Sequence, residues 1–145
     1  MQVKIKKLDN RARIPTYQTD FSAGADLYTM EGDTVTVPPH ETVFMHTGFA
    51  IEIPEGYAGL VFARSGLASK KGLAPANKVG VVDSDYRGEC MVALHNHSDI
   101  AVTVEGGERI AQLVIVPFLK ADFTLSEELS DTARGAGGFG STGNK

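Results

Sequence analysis

The chain lacks most features that secreted and membrane-bound proteins need. It has no tryptophan and a single cysteine, Cys90, so it cannot form an internal disulfide, which is consistent with a reducing compartment. No apolar run reaches the roughly 18 residues of a membrane span, and the opening MQVKIKKLDN has no apolar signal-peptide core. We therefore expect a soluble, cytoplasmic protein without membrane contact.

Positive charge is also scarce. The formal net charge is −4, the isoelectric point is about 5.5, and the 14 lysines and arginines form no long run. Binding to the backbone of DNA or RNA needs a basic patch, so the composition argues against a nucleic-acid polymer as partner. A small anion held by two or three arginines remains compatible with this charge.

Alternating apolar and polar residues dominate the chain. Residues 33–62 predict a strand, a Pro-Pro turn, a second strand, a PEG turn and a third strand. Residues 90–97, 100–105 and 109–118 continue the pattern. Strands at this spacing favour an all-β sandwich, jelly roll or barrel, and only residues 65–72 are suited to a helical turn or two.

Two further features concern the limits of the barrel. The stretch AQLVIVPF (111–118) is apolar at nearly every position, which predicts a strand covered on both faces, with another subunit as the second cover. After Leu125 the composition turns polar and loses β-branched residues. We therefore expect a barrel domain over 1–125 and a C-terminal arm over 126–145.

Two short stretches place charge next to glycine. In SAGADLY (22–28), Asp26 lies between apolar neighbours and must find a partner if it is buried, although a turn aspartate that bonds its own backbone is the simpler interpretation. In ARSGLA (63–68), Arg64, Ser65 and Gly66 could hold a phosphate. An N-cap serine beside a surface arginine explains the same residues equally well.

The stretch NKVGVVDSDYRGE (77–89) predicts a β-hairpin in which VGVV is one strand and CMVAL the other. Asp83 stands where strand meets turn, and a carboxylate held there could orient and deprotonate a water molecule. The alternative is that aspartate simply favours turns. Tyr86 is bulky for a hairpin tip unless it covers something.

Two more stretches complete the candidates. Gln112 interrupts an apolar strand, so its amide needs hydrogen-bond partners, either a ligand or a neighbouring strand or subunit. The segment RGAGGFGSTG (134–143) offers backbone N–H groups and the hydroxyls of Ser141 and Thr142 to an anion. Taken alone, this segment is more simply interpreted as a disordered end.

In this order and spacing, AGADLY, RSGLA, GVVDSDYRGE, GERIAQL and RGAGGFGSTG resemble the five motifs of the trimeric deoxyuridine triphosphatases (dUTPases), across residues 23–143. The resemblance implies an all-β, jelly-roll-like distorted β-barrel and a homotrimer whose three active sites are each assembled from all three chains. It implies hydrolysis of dUTP to dUMP and pyrophosphate, with Mg²⁺ on the triphosphate. The dUTPases thereby limit uracil in DNA and supply dUMP for thymidylate synthesis.

The resemblance also implies roles for individual residues. Asp83 would be the catalytic base, and Asp26 would act through metal-bound waters or by supporting a neighbouring arginine, with no side chain as a direct metal ligand. The uracil and deoxyribose would contact Asn77, Gly80, Val81, Val82, Tyr86 and Met91. The phosphates would contact Arg64, Ser65, Gly66 and Gln112. In the arm, Phe139 would stack on the uracil, and the phosphates would be closed over by Arg134, Gly140, Ser141 and Thr142.

Two other functions compete with this one. A dCTP deaminase shares the implied fold, but that branch uses a glutamate on the strand after the hairpin, where this chain has Ala93. A non-enzymatic trimer that only binds nucleotide has no use for Asp83. Two departures from the dUTPase pattern, Ala63 in place of a frequent proline and Lys78-Val79 in the hairpin, replace no side chain that has an implied role.

Overall fold

The computed structural model describes residues 1–138, which form eleven strands and one short helix. The strands are β1 Lys4–Lys7, β2 Ala25–Tyr28, β3 Val35–Val37, β4 Thr42–Met45, β5 Phe49–Glu52, β6 Tyr57–Phe62, β7 Leu73–Pro75, β8 Val79–Val82, β9 Val92–Asn96, β10 Val102–Val104 and β11 Arg109–Pro117. The helix, α1, is Ser65–Lys71. The predicted all-β fold class is confirmed.

The strands form four antiparallel sheets. The largest has the order β2-β11-β6-β8, a second has the order β4-β9-β7, and two pairs, β1-β5 and β3-β10, complete the structure. Most neighbours in these sheets are distant in sequence, so the chain crosses repeatedly between sheets, as in a jelly-roll-like barrel. The apolar core lies between the sheets and includes the fully buried Leu27, Phe49, Leu94 and Ile110.

The segment between the Pro-Pro turn and the PEG turn is two strands rather than the single strand predicted. The chain leaves the extended conformation at residues 46–48, where Gly48 has a φ of +72°. Thr47 is buried there, and its hydroxyl donates to the Cys90 carbonyl at 2.7 Å. Apolar residues recur between polar ones on both sides of residues 46–48. The sequence pattern therefore could not distinguish two strands from one.

The predicted hairpin between VGVV and CMVAL is wrong in its pairing. β8 pairs with β6, with Val82 opposite Gly59, whereas β9 pairs with β4 and β7. The intervening residues 83–91 carry the chain from one sheet to another. This leaves β8 at the edge of its sheet, with one side of its backbone unpaired in the described part of the chain.

The short helix is confirmed, but its start differs from the N-cap serine considered above. Arg64 occupies the N-cap position with extended φ and ψ of −89° and 128°, and Ser65 is the first helical residue. Gly72 ends the helix in the left-handed conformation, with φ of +66°, and its N–H bonds the Ala68 carbonyl. Arg64 and Ser65 therefore lie at the junction of β6 and α1.

β11 is the longest strand and pairs with both β2 and β6. Val114 and Val116 remain half-exposed, so residues 1–138 do not fully cover the second face of this strand. Residues 118–138 contain no strand or helix, and the domain boundary at 125 stays a prediction. Within the described residues no helix is long and apolar enough to cross a membrane.

Candidate functional site

Twelve of the predicted site residues fall into two separate clefts. The first, called the arginine cleft here, has a volume of about 310 Å³ and contains five of them: Asp26, Arg64, Ser65, Gly66 and Gln112. The second, called the aspartate cleft, has a volume of about 240 Å³ and contains seven of them: Asn77, Gly80, Val81, Val82, Asp83, Tyr86 and Met91. The arginine cleft forms because β2, β11 and β6 are neighbours in one sheet.

Asp26 anchors the arginine cleft. It lies in β2 with 5% of its surface exposed, so the turn-aspartate interpretation is wrong. Its carboxylate accepts from Arg64 Nε at 2.8 Å and from Arg109 Nη1 at 3.2 Å. A buried carboxylate without such partners would be strongly destabilising, and each arginine is in turn fixed in orientation at the cleft.

Arg109 was not singled out from the sequence, although it stands inside the motif GERIAQL. Arg109 stands at the start of β11, and the neighbouring strand β2 carries the buried Asp26. The sequence alone does not show that these two strands are neighbours. Tyr28 lies opposite Arg109, and Asp26 lies opposite Gln112, across the β2–β11 ladder. Arg109 therefore belongs with Asp26 and Arg64 as one charged cluster.

Gln112 is held by contacts on both ends of its amide. Its Nε2 donates to the Ala63 carbonyl at 2.9 Å, which is the link to a neighbouring segment considered above. Its Oε1 lies against Gly24, where an added Cβ would approach within 2.5 Å. A residue with a side chain in place of Gly24 would therefore displace the Gln112 amide.

Ser65 and Gly66 are both exposed at the first turn of α1, beside Arg64. A Cβ added at Gly66 would meet no atom of the described residues within 4 Å. Packing inside the chain therefore does not account for glycine at this position. Close approach of another molecule to the backbone would account for it.

The aspartate cleft combines an apolar wall with exposed polar groups. Asp83 is exposed directly after β8, next to Tyr86 and Met91, which are each 43% exposed. Gly80 gives space to the Asn77 amide, because a Cβ there would lie 3.3 Å from its Nδ2. Phe44, 63% exposed, also lines the cleft and was missed because it lies far away in sequence.

Residues 83–91 are braced by their own hydrogen bonds. Tyr86 N–H donates to the Asp83 carbonyl at 3.2 Å, and the Tyr86 hydroxyl donates to the Glu89 carbonyl at 3.0 Å. Arg87 Nη1 donates to the carbonyls of Ser84 and Tyr86 at 2.7 and 2.9 Å. The Tyr86 ring lies so close to Gly88 that a side chain there would collide with it. These contacts brace the loop that carries Asp83 and hold the Tyr86 ring in place.

Glu89 ties this loop to the barrel, a role that sequence reasoning missed. Its carboxylate accepts from the Gly48 N–H at 2.8 Å and from His46 Nδ1 at 2.9 Å. Burial acts to raise the pKa of Glu89, but the bonds from His46 and from the backbone of Gly48 and Thr47 outweigh it and lower the pKa. A break in the strand pattern at residues 46–48 would have indicated this role of Glu89, but the alternating residues concealed the break.

We expect Glu89→Gln to destabilise the fold by about 1–3 kcal/mol at neutral pH, because the Gly48 N–H and His46 lose a charged acceptor. A lowered pKa in the folded chain means that the stabilisation exists above the ordinary pKa of 4.5 and disappears as the pH falls through the lowered value. Urea unfolding at several pH values measures this difference between variant and parent.

The matched control is Glu52→Gln, which removes the exposed ion pair with Lys4. A surface pair contributes little, so this change is expected to cost less than about 1 kcal/mol. The account of Glu89 is contradicted if its variant unfolds like the Glu52 variant, or if the difference from the parent does not shrink as the pH is lowered below 4.5.

The two clefts are far apart within one chain. They share no lining residue, and Arg64 lies five positions after Gly59, the partner of Val82, and two positions beyond the end of β6 at Phe62. At about 3.3 Å per residue, Arg64 lies roughly 16 Å along the strands from the end of β8, where Asp83 stands. A group that contacts Asp83 is therefore out of reach of Arg64 of the same chain.

The predicted arm residues are only partly within the structure. Arg134 is exposed, and its Nε donates to the Gly137 carbonyl at 2.8 Å, so it lies in neither cleft. Phe139, Gly140, Ser141 and Thr142 lie outside the described residues. Over residues 1–138, no group of three or more His, Cys, Asp or Glu side chains is arranged to hold a metal ion.

Comparison with known proteins shows the family to which the chain belongs. The dUTPase family model matches residues 10–143. The deoxyuridine 5'-triphosphate nucleotidohydrolase of Hydrogenobaculum sp. is 50% identical over 145 residues, covering 100% of both chains. The enzyme of that name from Nautilia profundicola is 52% identical over 143 residues, covering 99% of both chains.

Solved structures are similar over the same length. A mutant of the Staphylococcus bacteriophage 80alpha dUTPase, solved with dUpNHpp, has a TM-score of 0.89 at 32% identity, covering 98% of both chains. A mutant dUTPase from phage phi11 of S. aureus, described as coordinating a structural Mg(II) ion, has a TM-score of 0.78 at 28% identity, covering 88% of this chain and 98% of that one. In sequence and in fold, then, the chain belongs to the dUTPase family of enzymes.

Proposed function

We propose that the protein hydrolyses dUTP to dUMP and pyrophosphate as a homotrimer. The observation that carries this proposal is the aspartate cleft, where the exposed carboxylate of Asp83 stands beside Tyr86 and the free edge of β8. Relatives named for this reaction and a structural neighbour solved with dUpNHpp support the same substrate.

The β8 edge suits a pyrimidine base. Its backbone N–H and C=O groups over Gly80–Val82, with the Asn77 amide, can bond the polar edge of uracil. Cytosine would leave some of these groups unpaired, which costs affinity. Tyr86 would pack under the deoxyribose and exclude a ribose hydroxyl, and Met91 would complete the wall.

The chemistry needs one proton acceptor and several donors. Asp83 would take the proton from a water molecule as its oxygen attacks the α-phosphorus, and the bond to the bridging oxygen of pyrophosphate would break. Arg64, Gln112 and the α1 backbone at Ser65 and Gly66 would stabilise the charge on the phosphate oxygens. Asp26 would hold Arg64 in place for this purpose.

The separation of roughly 16 Å between the clefts supports a site shared between chains. In the proposed homotrimer, the aspartate cleft of one chain would face the arginine cleft of a second. The half-exposed outer face of β11 would be covered at these contacts. The arm of a third chain would supply Arg134, Phe139, Gly140, Ser141 and Thr142.

Magnesium would enter as part of the substrate. Both oxygens of Asp26 already accept from arginines, so the one carboxylate that lines the arginine cleft does not fit a direct metal ligand. Mg²⁺ held by phosphate oxygens and water would neutralise part of the triphosphate charge. The structural Mg(II) of the phi11 dUTPase supports a divalent metal in the family.

The test is incubation of the purified protein with Mg²⁺ and either dUTP or dCTP. Pyrophosphate from dUTP supports the proposal, ammonia from dCTP would indicate a deaminase, and no product would indicate a pure nucleotide binder. We expect only the first result, because Ala93 stands in the cleft wall and the nearby Glu89 is already bound to Gly48 and His46.

Replacing Asp26 tests the arginine cleft. We expect Asp26→Asn to raise the KM for dUTP by about tenfold and to destabilise the fold by about 1–3 kcal/mol, because two arginines lose their shared anion. Steady-state kinetics and urea unfolding measure the two effects. Asp33→Asn, which removes an exposed partner of Arg11, is the control and should change neither. An unchanged KM in Asp26→Asn would remove Asp26 from the site.

A further inference from the structure

A third cleft, called the basic cleft here, lies beside the arginine cleft and has a volume of about 530 Å³. Five cationic side chains line it: Arg13, Arg64, Lys70, Lys71 and Arg109. This concentration of positive charge stands out in a chain whose net charge is −4. None of the motifs described above accounts for Arg13, Lys70 or Lys71.

Carboxylates near the basic cleft do not balance its charge. Asp26 pairs with both Arg64 and Arg109, and Glu108 pairs with Lys71 at 3.0 Å. Glu31 is the third nearby acid, since its side chain and that of Arg13 both lie close to Gly107. Five cations against three carboxylates leave two positive charges in excess.

Arg13 is stacked on an aromatic ring within the basic cleft. Its guanidinium carbon lies 4.1 Å from the centre of the Tyr28 ring, and the Tyr28 hydroxyl is within 2.5 Å of Thr16 Oγ1. A stacked arginine loses less conformational freedom on binding an anion than a free surface lysine does. The dipole of α1 accounts for cations in its last turn, Lys70 and Lys71, but not for Arg13.

The basic cleft is continuous with the arginine cleft. Gln18, Arg64 and Gly66 line both, so an anion leaving Arg64 enters a positively charged space. An anion with two or more phosphates matches the excess positive charge of this combined space better than a singly charged anion does.

We propose that the basic cleft is a separate subsite for condensed phosphate, with Arg13 and Lys70 as its binding residues. The idea that the basic cleft receives the pyrophosphate product rests on the proposed function. The idea that the cleft binds pyrophosphate does not. The subsite would receive the leaving pyrophosphate after bond cleavage and so govern product release.

The experiment titrates inorganic pyrophosphate into the full-length protein by calorimetry at fixed ionic strength, without nucleotide. The double variant Arg13→Met and Lys70→Gln keeps an apolar stem over Tyr28 and removes two charges. We expect pyrophosphate to bind the variant about tenfold more weakly than the parent, and the KM for dUTP to change by less than about twofold. The control, Lys6→Gln with Lys120→Gln, removes two exposed lysines outside the cleft and should bind pyrophosphate like the parent.

Three results would overturn the proposal. The first is that variant and parent bind pyrophosphate with equal affinity. The second is that the KM for dUTP rises by the same factor as the pyrophosphate affinity falls, and the third is that the variant no longer assembles to the mass of the parent. The second would make the cleft part of the substrate site, and the third would make it a contact between chains. Since the titration needs no turnover, failure of dUTP hydrolysis in the parent would leave the binding result interpretable on its own.

Discussion

Asp83→Asn is expected to bind nucleotide like the parent and to hydrolyse dUTP at least about 10³-fold more slowly, because it loses both a general base and the positioning of the attacking water. The asparagine side chain has nearly the same shape, and Asp83 is exposed, so the fold should be unaffected. Steady-state kinetics give the change in kcat, and titration with dUpNHpp gives the affinity.

The control lies two residues away on the same loop. Asp85 is also exposed and shares a neighbouring surface with Asp83, but it does not line the aspartate cleft, so Asp85→Asn should retain nearly full turnover. A loss in both variants would point to the charge of the loop rather than to a base. Near-normal turnover in Asp83→Asn would contradict the role proposed for Asp83.

Truncation after Ala133 is expected to leave a folded, assembled protein whose kcat/KM for dUTP falls by on the order of 10²-fold or more. It removes the proposed phosphate donors of the arm and the aromatic proposed to cover the base, while the barrel strands end earlier, at Pro117. Circular dichroism and a solution mass report the fold and assembly, and kinetics report the loss.

A shorter deletion controls for the truncation. Removing only residues 144–145, which lie beyond the matched family region 10–143, should preserve activity. Full activity in the protein cut after Ala133 would show that the segment 134–143 is the dispensable end that its composition suggests. Loss of the folded barrel would show instead that the arm is structural.

Alternation and motif spacing predicted the features that depend on local sequence. The all-β class, the helix over 65–71 and the grouping of Arg64, Ser65 and Gly66 followed from patterns within a few residues. Asn77, Gly80–Val82, Asp83 and Tyr86 likewise lie together because they belong to one strand and the turns on either side of it.

Features that depend on pairing could not be predicted in this way. The partners of β8 and β9 are set by contacts across the barrel, so a hairpin was expected where the chain crosses between sheets. Arg109 reaches Asp26, and Glu89 reaches Gly48, across 83 and 41 positions of sequence. Gly24 lies against the Gln112 amide across 88 positions of sequence, a contact that no local pattern shows.

The central claim is that Asp83 and Arg64 act together only across two chains, and mixing two inactive variants tests it most directly. Asp83→Asn and Arg64→Ala chains are purified, shown to be inactive separately, unfolded together in equal amounts and refolded. A site that draws Asp83 from one chain and Arg64 from another is intact in about a quarter of random combinations, so about a quarter of the parent activity should return. No recovered activity in mixed assemblies of the correct mass would contradict the claim, because a site within one chain always carries one of the two defects.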